Sequence, residues 1–358
     1  EFKRDESTAY EASKQNNFTI KVDKRGVGDY KFTLISESIT AWQTDTNGVD
    51  ADARAYITMN VPSAGMLQSV IDQKQLNYNS IVNLKITGEI GYSDFQFIRE
   101  KLRFLEAINL QEAKLENGVI PDGAFCGGLN NEVNILELVV FPDQLTKIEK
   151  EAFLNTSLCQ ELVFPEGLTY IGDRAFDGNP YKASDWGDTE RNNTNIYGVY
   201  FPNSLKHIGF RAFTDAFIRH ELILPDNLEF IGEAAFDNCR YIVGNLHIPE
   251  KIKDISTRAF STLLSTSGVL EIPASVETIG LGAFASSGFK GLILNEGLKS
   301  IGEAAFAGVV FMNGYNNVAP NKYDLATKDA IYDIKPHPYG GELVVPTSVQ
   351  YVGKRAFA

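Results

Sequence analysis

The chain is short of positive charge, of pairable cysteine, of histidine and of long apolar runs, and each shortage removes a class of function. Lys and Arg number 33 against 46 Asp and Glu, a net charge of -13. A nucleic-acid surface needs the opposite sign, so no nucleic-acid partner is expected. Three cysteines, Cys126, Cys159 and Cys239, cannot all pair within one chain. Their spacing fits no zinc motif, and buried free thiols are the expectation. No run of about 18 apolar residues exists to span a bilayer, and no signal peptide is present. The chain opens at Glu1 rather than Met, which is the mark of a processed or trimmed start.

What is present is a repeat. PDQLTKIEKEAF (142–153), PEGLTYIGDRAF (165–176), PNSLKHIGFRAF (202–213), PDNLEFIGEAAF (225–236), PEKIKDISTRAF (249–260), PASVETIGLGAF (273–284), NEGLKSIGEAAF (295–306) and PTSVQYVGKRAF (346–357) align without a gap. A shortened copy, IPDGAF, precedes them at 120–125. Successive motif phenylalanines from Phe125 to Phe357 are 28, 23, 37, 23, 24, 24, 22 and 51 residues apart. A unit near 23 residues is the length of a leucine-rich repeat.

Each unit has a physical reading. A short aliphatic run such as LVF (162–164) suits a strand, and Pro165, lacking an amide hydrogen, ends it. Leu168 and Ile171 return to the core, Gly172 supplies a backbone conformation that a side chain would resist, and Phe176 fills the interior. Asp173 and Arg174 hold variable, solvent-facing places. One unit cannot stand alone: burying four or five large apolar side chains yields about 6 to 15 kcal/mol, while ordering its backbone costs about 23 to 46 kcal/mol. Stacked units share their strands and phenylalanines, which is the logic of a solenoid.

The pattern P-x-x-[LIV]-x-x-[IV]-G-x-x-A-F at this period resembles the BspA-like leucine-rich repeat proteins, surface-exposed or secreted proteins of gut and oral anaerobic bacteria. The resemblance spans about residues 120 to 358. It implies an α/β, β-rich fold, a right-handed solenoid with a parallel β-sheet, and an extracellular binding or adhesion role reached after removal of an export signal. It implies no catalytic residue, cofactor or metal. Glu149 and Ser256 replace the glycine and Asn295 the proline, so those rungs are expected to turn differently.

Upstream, LRFLEAINLQEAKL (102–115) reads as a further leucine-rich rung and IVNLKITGEI (81–90) as a strand. Helices are expected after Ser63, with Leu67, Val70 and Ile71 on one face, and after a Ser93 or Asp94 cap, with Phe95, Ile98 and Leu102 on one face. Residues 1–62 lack the repeat. NFTIKV (17–22), DYKFTLIS (29–36) and RAYITMNV (54–61) alternate apolar and polar residues between turn signals, which predicts a small antiparallel β domain. Residues 63–358 form the solenoid, with 63–119 as its N-terminal cap and first rungs and 120–358 as the repeats proper.

Repeats position; interruptions of the repeat are where binding is expected. Insertions at 178–198 and 308–341 both follow an Ala-Phe pair and should leave the same edge. The first carries Tyr181, Trp186 and Tyr197, with Tyr200 beyond it; the second carries Tyr315, Tyr323 and Tyr332. Aromatics beside polar groups anchor a protein partner or stack on sugar rings. A second candidate is the outward column of the sheet, Val140, Val163, Tyr200, Ile223, His247, Glu271, Ile293 and Val344. A third is the column before the motif isoleucine, with Tyr170, His207, Phe230 and Tyr351. Four histidines, no G-x-S-x-G and no H-E-x-x-H leave little for catalysis. The expectation is a non-enzymatic binding protein whose partner is a protein, such as host matrix or another surface protein. The alternatives are a glycan, or another copy of the chain at the C-terminal end.

Overall fold

A computed structural model describes residues 56–127, 134–178, 196–309 and 343–358, and the strands 2–3, 19–25 and 29–34. The chain divides into two compact units, Glu1–Ala55 and Tyr56–Ala358. In the first, Phe2–Lys3, Thr19–Arg25 and Asp29–Leu34 form an antiparallel sheet with Thr19–Arg25 at its centre. The third strand expected in that domain belongs elsewhere. Ile57–Val61 pairs in parallel with Asn83–Ile90, from Ile57 opposite Leu84 to Val61 opposite Gly88. Alternation alone cannot tell a hairpin strand from the first strand of a parallel stack, so the boundary falls near residue 55 and not 62.

Asn83–Ile90 continues in parallel to Ala107–Asn109, and that strand to Leu138–Val140. Leu102, Leu105, Ile108, Leu110 and Leu115 of the upstream rung are all buried. Two helices precede the repeats, α1 (Leu67–Gln73) and α2 (Tyr92–Lys101). Helix α2 begins before the expected cap, which places Asp94 inside its first turn. The Asp94 carboxylate accepts from Gly91 N at 2.9 Å, Leu67 N at 2.9 Å and Gly65 N at 2.6 Å, so one buried side chain ties the starts of both helices together. Phe95 of α2 meets Phe125 edge to face at 5.5 Å and covers the first motif phenylalanine.

From Phe125 onward the motif phenylalanines stack as a spine through nine rungs. Centroid separations run from 5.0 Å for Phe153 and Phe176 to 5.7 Å for Phe236 and Phe260, and the stack ends on Phe357. Two ladders hold the rungs in register. On the turn edge each motif phenylalanine donates its N–H forward to the alanine carbonyl of the next rung, from Phe125 N to Ala152 O at 2.7 Å through Phe306 N to Ala356 O at 2.7 Å. On the short strands the amide at the glycine position donates backward to the preceding Ile carbonyl, as Gly172 N does to Ile148 O at 2.8 Å. Most rungs are therefore bound in both directions.

The motif glycine is explained by space and not by dihedral. Gly172 lies outside the positive-φ region, but a Cβ there would stand 2.7 Å from Glu149 C and Lys150 N of the rung below. Left-handed backbone occurs instead two residues later, just before the alanine, in all nine rungs from Gly123 to Arg355. Arg174, Arg211, Ala234, Arg258 and Ala304 occupy it at φ between 52° and 54°. Such a conformation costs a non-glycine residue about 1 to 2 kcal/mol, and the turn ladder on either side holds it.

The three departures from the motif behave differently. Glu149 N still bonds Ile120 O at 2.9 Å, so the backward ladder survives a side chain at this rung. Asn295 keeps the bend and binds back through Nδ2 to Ile272 O at 3.1 Å. Ser256 breaks the short-strand sheet. Strands run from Val119–Ile120 to Phe230–Ile231 in one sheet and from Asp254–Ile255 to Tyr351–Val352 in another, with no pairing between. There the Ser256 hydroxyl, at 2.5 Å, takes the Ile231 carbonyl that a backbone amide takes elsewhere.

Candidate binding surface

On the strand before each proline, alternate residues point inward and outward. Leu162, Val199, Leu222, Leu246, Leu270 and their neighbours are buried, and the adjacent column faces solvent. Val163 is 63 % exposed, Ile223 41 %, Ile293 46 % and Val344 69 %. Strand register places Val163 opposite Tyr200 and Glu161 opposite Gly198. Val140 and Tyr200 are half-buried, and His247 and Glu271, which are also opposite one another, are exposed. The outward column expected from the sequence is a real row of side chains.

Tyr200 sits where its ring lies against bare backbone. A Cβ at Gly198 would meet the Tyr200 ring at 3.3 Å and the His220 ring at 3.2 Å. His220 Nε2 is 3.7 Å from Glu161 Oε1. Burial, then the charge and hydrogen bond of Glu161, hold the Tyr200 hydroxyl above the usual phenol range. Tyr197 is placed differently: its hydroxyl is 3.1 Å from Cys159 Sγ, and the Arg219 guanidinium lies over its ring at 5.7 Å. Tyr197 and Tyr200 are thus brought to one rung, three residues apart. Tyr181, Trp186, Tyr315, Tyr323 and Tyr332 lie outside the described residues, as does most of both insertions.

The column before the motif isoleucine forms a second row. Tyr170 and His207 stack at 4.6 Å, His207 and Phe230 at 4.6 Å, and Lys147 Nζ lies 5.7 Å from the Tyr170 centroid. Burial lowers the His207 imidazole below its ordinary value, against the smaller opposing effect of Asp173. These rings spend their faces on one another and leave their edges to solvent. Phe230 ends the row beside the break at Ser256.

On the turn edge, polar residues do more than meet water. Asp173 Oδ1 accepts from Phe210 N of the next rung at 2.8 Å. Arg174 Nε donates to Asp177 at 3.0 Å and its Nη1 to Glu151 at 3.3 Å, while Arg211 Nε reaches the same Asp177 at 3.2 Å. Asp177 is completely buried. The two residues expected to be solvated are therefore rung-to-rung links. Beyond them a cleft of about 500 Å³ is lined by Phe210, Arg211, Asp215, Asp237, Asn238 and Arg258, among others. Arg258 Nη2 pairs with Asp237 at 2.8 Å, and burial raises the Asp215 carboxyl. Thr214-Asp215, Asp237-Asn238 and Ser261-Thr262 follow three successive Ala-Phe pairs, at positions that vary in the other rungs, so the repeat alone does not mark this cleft. Among the described residues no group of three or more His, Cys, Asp or Glu is placed to hold a metal ion.

The profile of the BspA type leucine rich repeat region matches residues 118–189 and 186–313 in six copies, more than half of the chain. No curated protein matches significantly. Among solved structures, a leucine-rich repeat protein from Bacteroides ovatus ATCC 8483 is similar at 16% identity, covering 94% of this chain and 89% of its own, with a TM-score of 0.41. A leucine rich cell surface protein from Faecalibacterium prausnitzii A2-165 is similar at 17% identity, covering 82% of this chain and 79% of its own, with a TM-score of 0.36. Among the described residues no helix is long and apolar enough to cross a membrane.

Proposed function

Because this chain belongs to the BspA-type leucine-rich repeat family, we propose that it is a non-catalytic binding protein, at the cell surface or outside the cell, whose solenoid engages a protein partner. One observation carries the reading. The segments before the prolines bury inward residues such as Leu162, Leu222 and Leu294 and leave Val163, Ile223, Ile293 and Val344 exposed in the outward column. These side chains face away from the core, and exposed apolar residues aligned on a stacked scaffold suit an interaction surface. The placement outside the cell follows the surface-exposed or secreted character of the family.

A glycan-binding reading is favoured by a different observation, the Tyr200 ring beside Glu161 and His220, because an aromatic face with neighbouring acceptors suits a sugar. The two readings separate in one experiment. The chain and its Val163→Ser/Ile293→Ser and Tyr200→Ala variants are applied to a panel of extracellular-matrix proteins and to a glycan array. Protein binding lost in the double serine variant supports the first reading. Glycan binding lost only in Tyr200→Ala supports the second, and binding unchanged in both variants removes the outward column as the site.

A further inference from the structure

The outward face of four consecutive rungs has a charge pattern that stacking does not require. The segments ELVVFPDQ (137–144), QELVFPEG (160–167), YGVYFPNS (197–204) and HELILPDN (220–227) contain six carboxylates and no Lys or Arg. At the chain's overall usage of 33 in 358, thirty-two residues would carry about three basic side chains. The column of Val140, Val163, Tyr200 and Ile223 runs down the middle. Glu137, Glu161 and Glu221 lie on one side of it, and Asp143, Glu166 and Asp226 on the proline side. Five of the six are exposed and Glu161 is half-exposed.

The rungs are fixed to one another, so the strip is a rigid surface. The Gln160 side chain spans the first gap, accepting from Val139 N at 2.7 Å and donating to Val139 O at 3.0 Å. Val163 pairs with Tyr200, and Arg219 N donates to Tyr197 O at 3.1 Å. Three strand steps of about 4.8 Å make the strip about 14 Å long.

Resting on the protein-binding reading above, we infer that this strip receives a basic amphipathic segment of a partner protein, one that presents a row of apolar side chains flanked by Lys or Arg. The apolar column supplies burial for the partner's row, and the carboxylates on both sides supply the complementary charge that fixes register and speeds encounter. The same sign repels a second copy of this chain, which carries -13 overall, and an anionic membrane. Five of the six carboxylates are exposed to water, so the attraction weakens with salt and the apolar contact does not.

The test uses the full chain and three fluorescent probes: a Leu/Lys amphipathic peptide, its Leu/Glu counterpart and an oligolysine of equal charge, read by anisotropy at low and physiological salt. The Leu/Lys peptide should bind at least tenfold more tightly than either other probe. A Glu161→Gln/Glu166→Gln/Glu221→Gln/Asp226→Asn variant and a Val163→Ser/Ile223→Ser variant should each lose tenfold or more, while Leu281→Ser, exposed on the turn edge, loses nothing. Circular dichroism melts of the variants confirm that the fold is kept. Oligolysine binding as well as the Leu/Lys peptide, or unchanged binding in the strip variants, overturns the inference, as does a chain that dimerises through this face. If matrix-panel binding depends on Ile293 while the Leu/Lys peptide fails, the inference falls and the protein-binding reading stands. Panel and peptide both failing removes the two together.

Discussion

Gly232→Ala adds one methyl group where two rungs come closest. A Cβ on Gly232 would lie 2.5 Å from Gly209 C and Phe210 N and 2.6 Å from Gly209 O. Ordinary contacts begin near 3.4 Å, so the rung must retreat by about 0.9 Å. All three neighbours are backbone atoms, and none can rotate aside. Such a retreat breaks the bonds from Gly232 N to Ile208 O at 2.8 Å and from Glu229 N to Lys206 O at 2.9 Å. Overpacking costs about 1 to 3 kcal/mol and each lost ladder bond about 1 kcal/mol, giving a loss of about 3 to 5 kcal/mol. Ser256 shows the outcome in the native chain, since its rung carries a side chain at this position and its short strand pairs with the rung after it but not with the rung before it. Ser256→Gly is therefore the mirror experiment. It regains two amide bonds for one hydroxyl bond, a gain of about 1 kcal/mol. Urea denaturation followed by circular dichroism gives the stability, and amide exchange at residues 229–232 and 253–256 localises it, because a stacked array can open in parts. A Gly232→Ala protein within 0.5 kcal/mol of the parent, with amides 229 and 232 still protected, would refute the reasoning.

Phe236→Ala, which removes a fully buried ring with a stacked partner on both sides, should cost about 3 to 5 kcal/mol. Phe357→Ala, which loses one stacked partner, should cost less than half as much in the same denaturation assay. Asp94→Ala leaves three backbone amides at the starts of α1 and α2 without their acceptor, at a cost of about 3 kcal/mol, and should raise exchange at Gly65, Leu67 and Gly91 together. The His207 imidazole is held below its ordinary 6.5 because partial burial between two rings desolvates it. The stability contributed by the neutral imidazole is therefore complete above the unfolded value and is lost as pH falls through the folded one. The denaturation midpoint should drop between pH 7.5 and pH 5, and His207→Phe, which keeps the stack, should shrink that drop; an equal drop in both proteins would assign it to other groups.

The repeat itself was legible because its inward positions are fixed by one requirement, stacking, which every rung must meet. Leu168, Ile171, Ala175 and Phe176 are all buried, and their spacing alone reveals the unit. What the spacing could not reveal is which physical constraint a given letter answers. Gly172 reads as a dihedral requirement from one sequence, yet it is needed because the rung below passes within reach of a Cβ. Arg174 reads as a variable surface residue, yet it sits in left-handed backbone and binds the buried Asp177 carboxylate three residues on. Ile57–Val61 has the alternation of a hairpin strand, but its partner is 27 residues later in the chain and in parallel. Of the candidate site, Val163, Tyr200 and Ile223 were legible from the period of two. The cleft lined by Arg211, Asp215 and Arg258 was not, because its walls come from three rungs at positions the motif leaves free.

The two ladders also divide the solenoid. Most junctions between rungs carry backward bonds from the short strand and forward bonds from the turn, but at the junction before Ser256 the short strands do not pair, and the backward bonds are those of the Ser256 hydroxyl to Ile231 O, Ser265 N to Arg240 O at 3.2 Å and Ser267 N to Gly244 O at 3.0 Å. Phe236 N still donates to Ala259 O at 2.9 Å and Asn238 N to Ser261 O at 3.0 Å. The phenylalanine spine crosses the same junction at its widest stacked spacing, 5.7 Å. Loss of one of two ladders weakens coupling between neighbours without separating them, so the rungs up to Phe236 and those from Phe260 onward are the natural cooperative blocks. The strip of six carboxylates ends at Asp226, inside the first block and short of the break. A segment bound along it therefore ties together rungs that already move as one, at no cost in straightening the junction, and its protection against exchange should stop at Phe236.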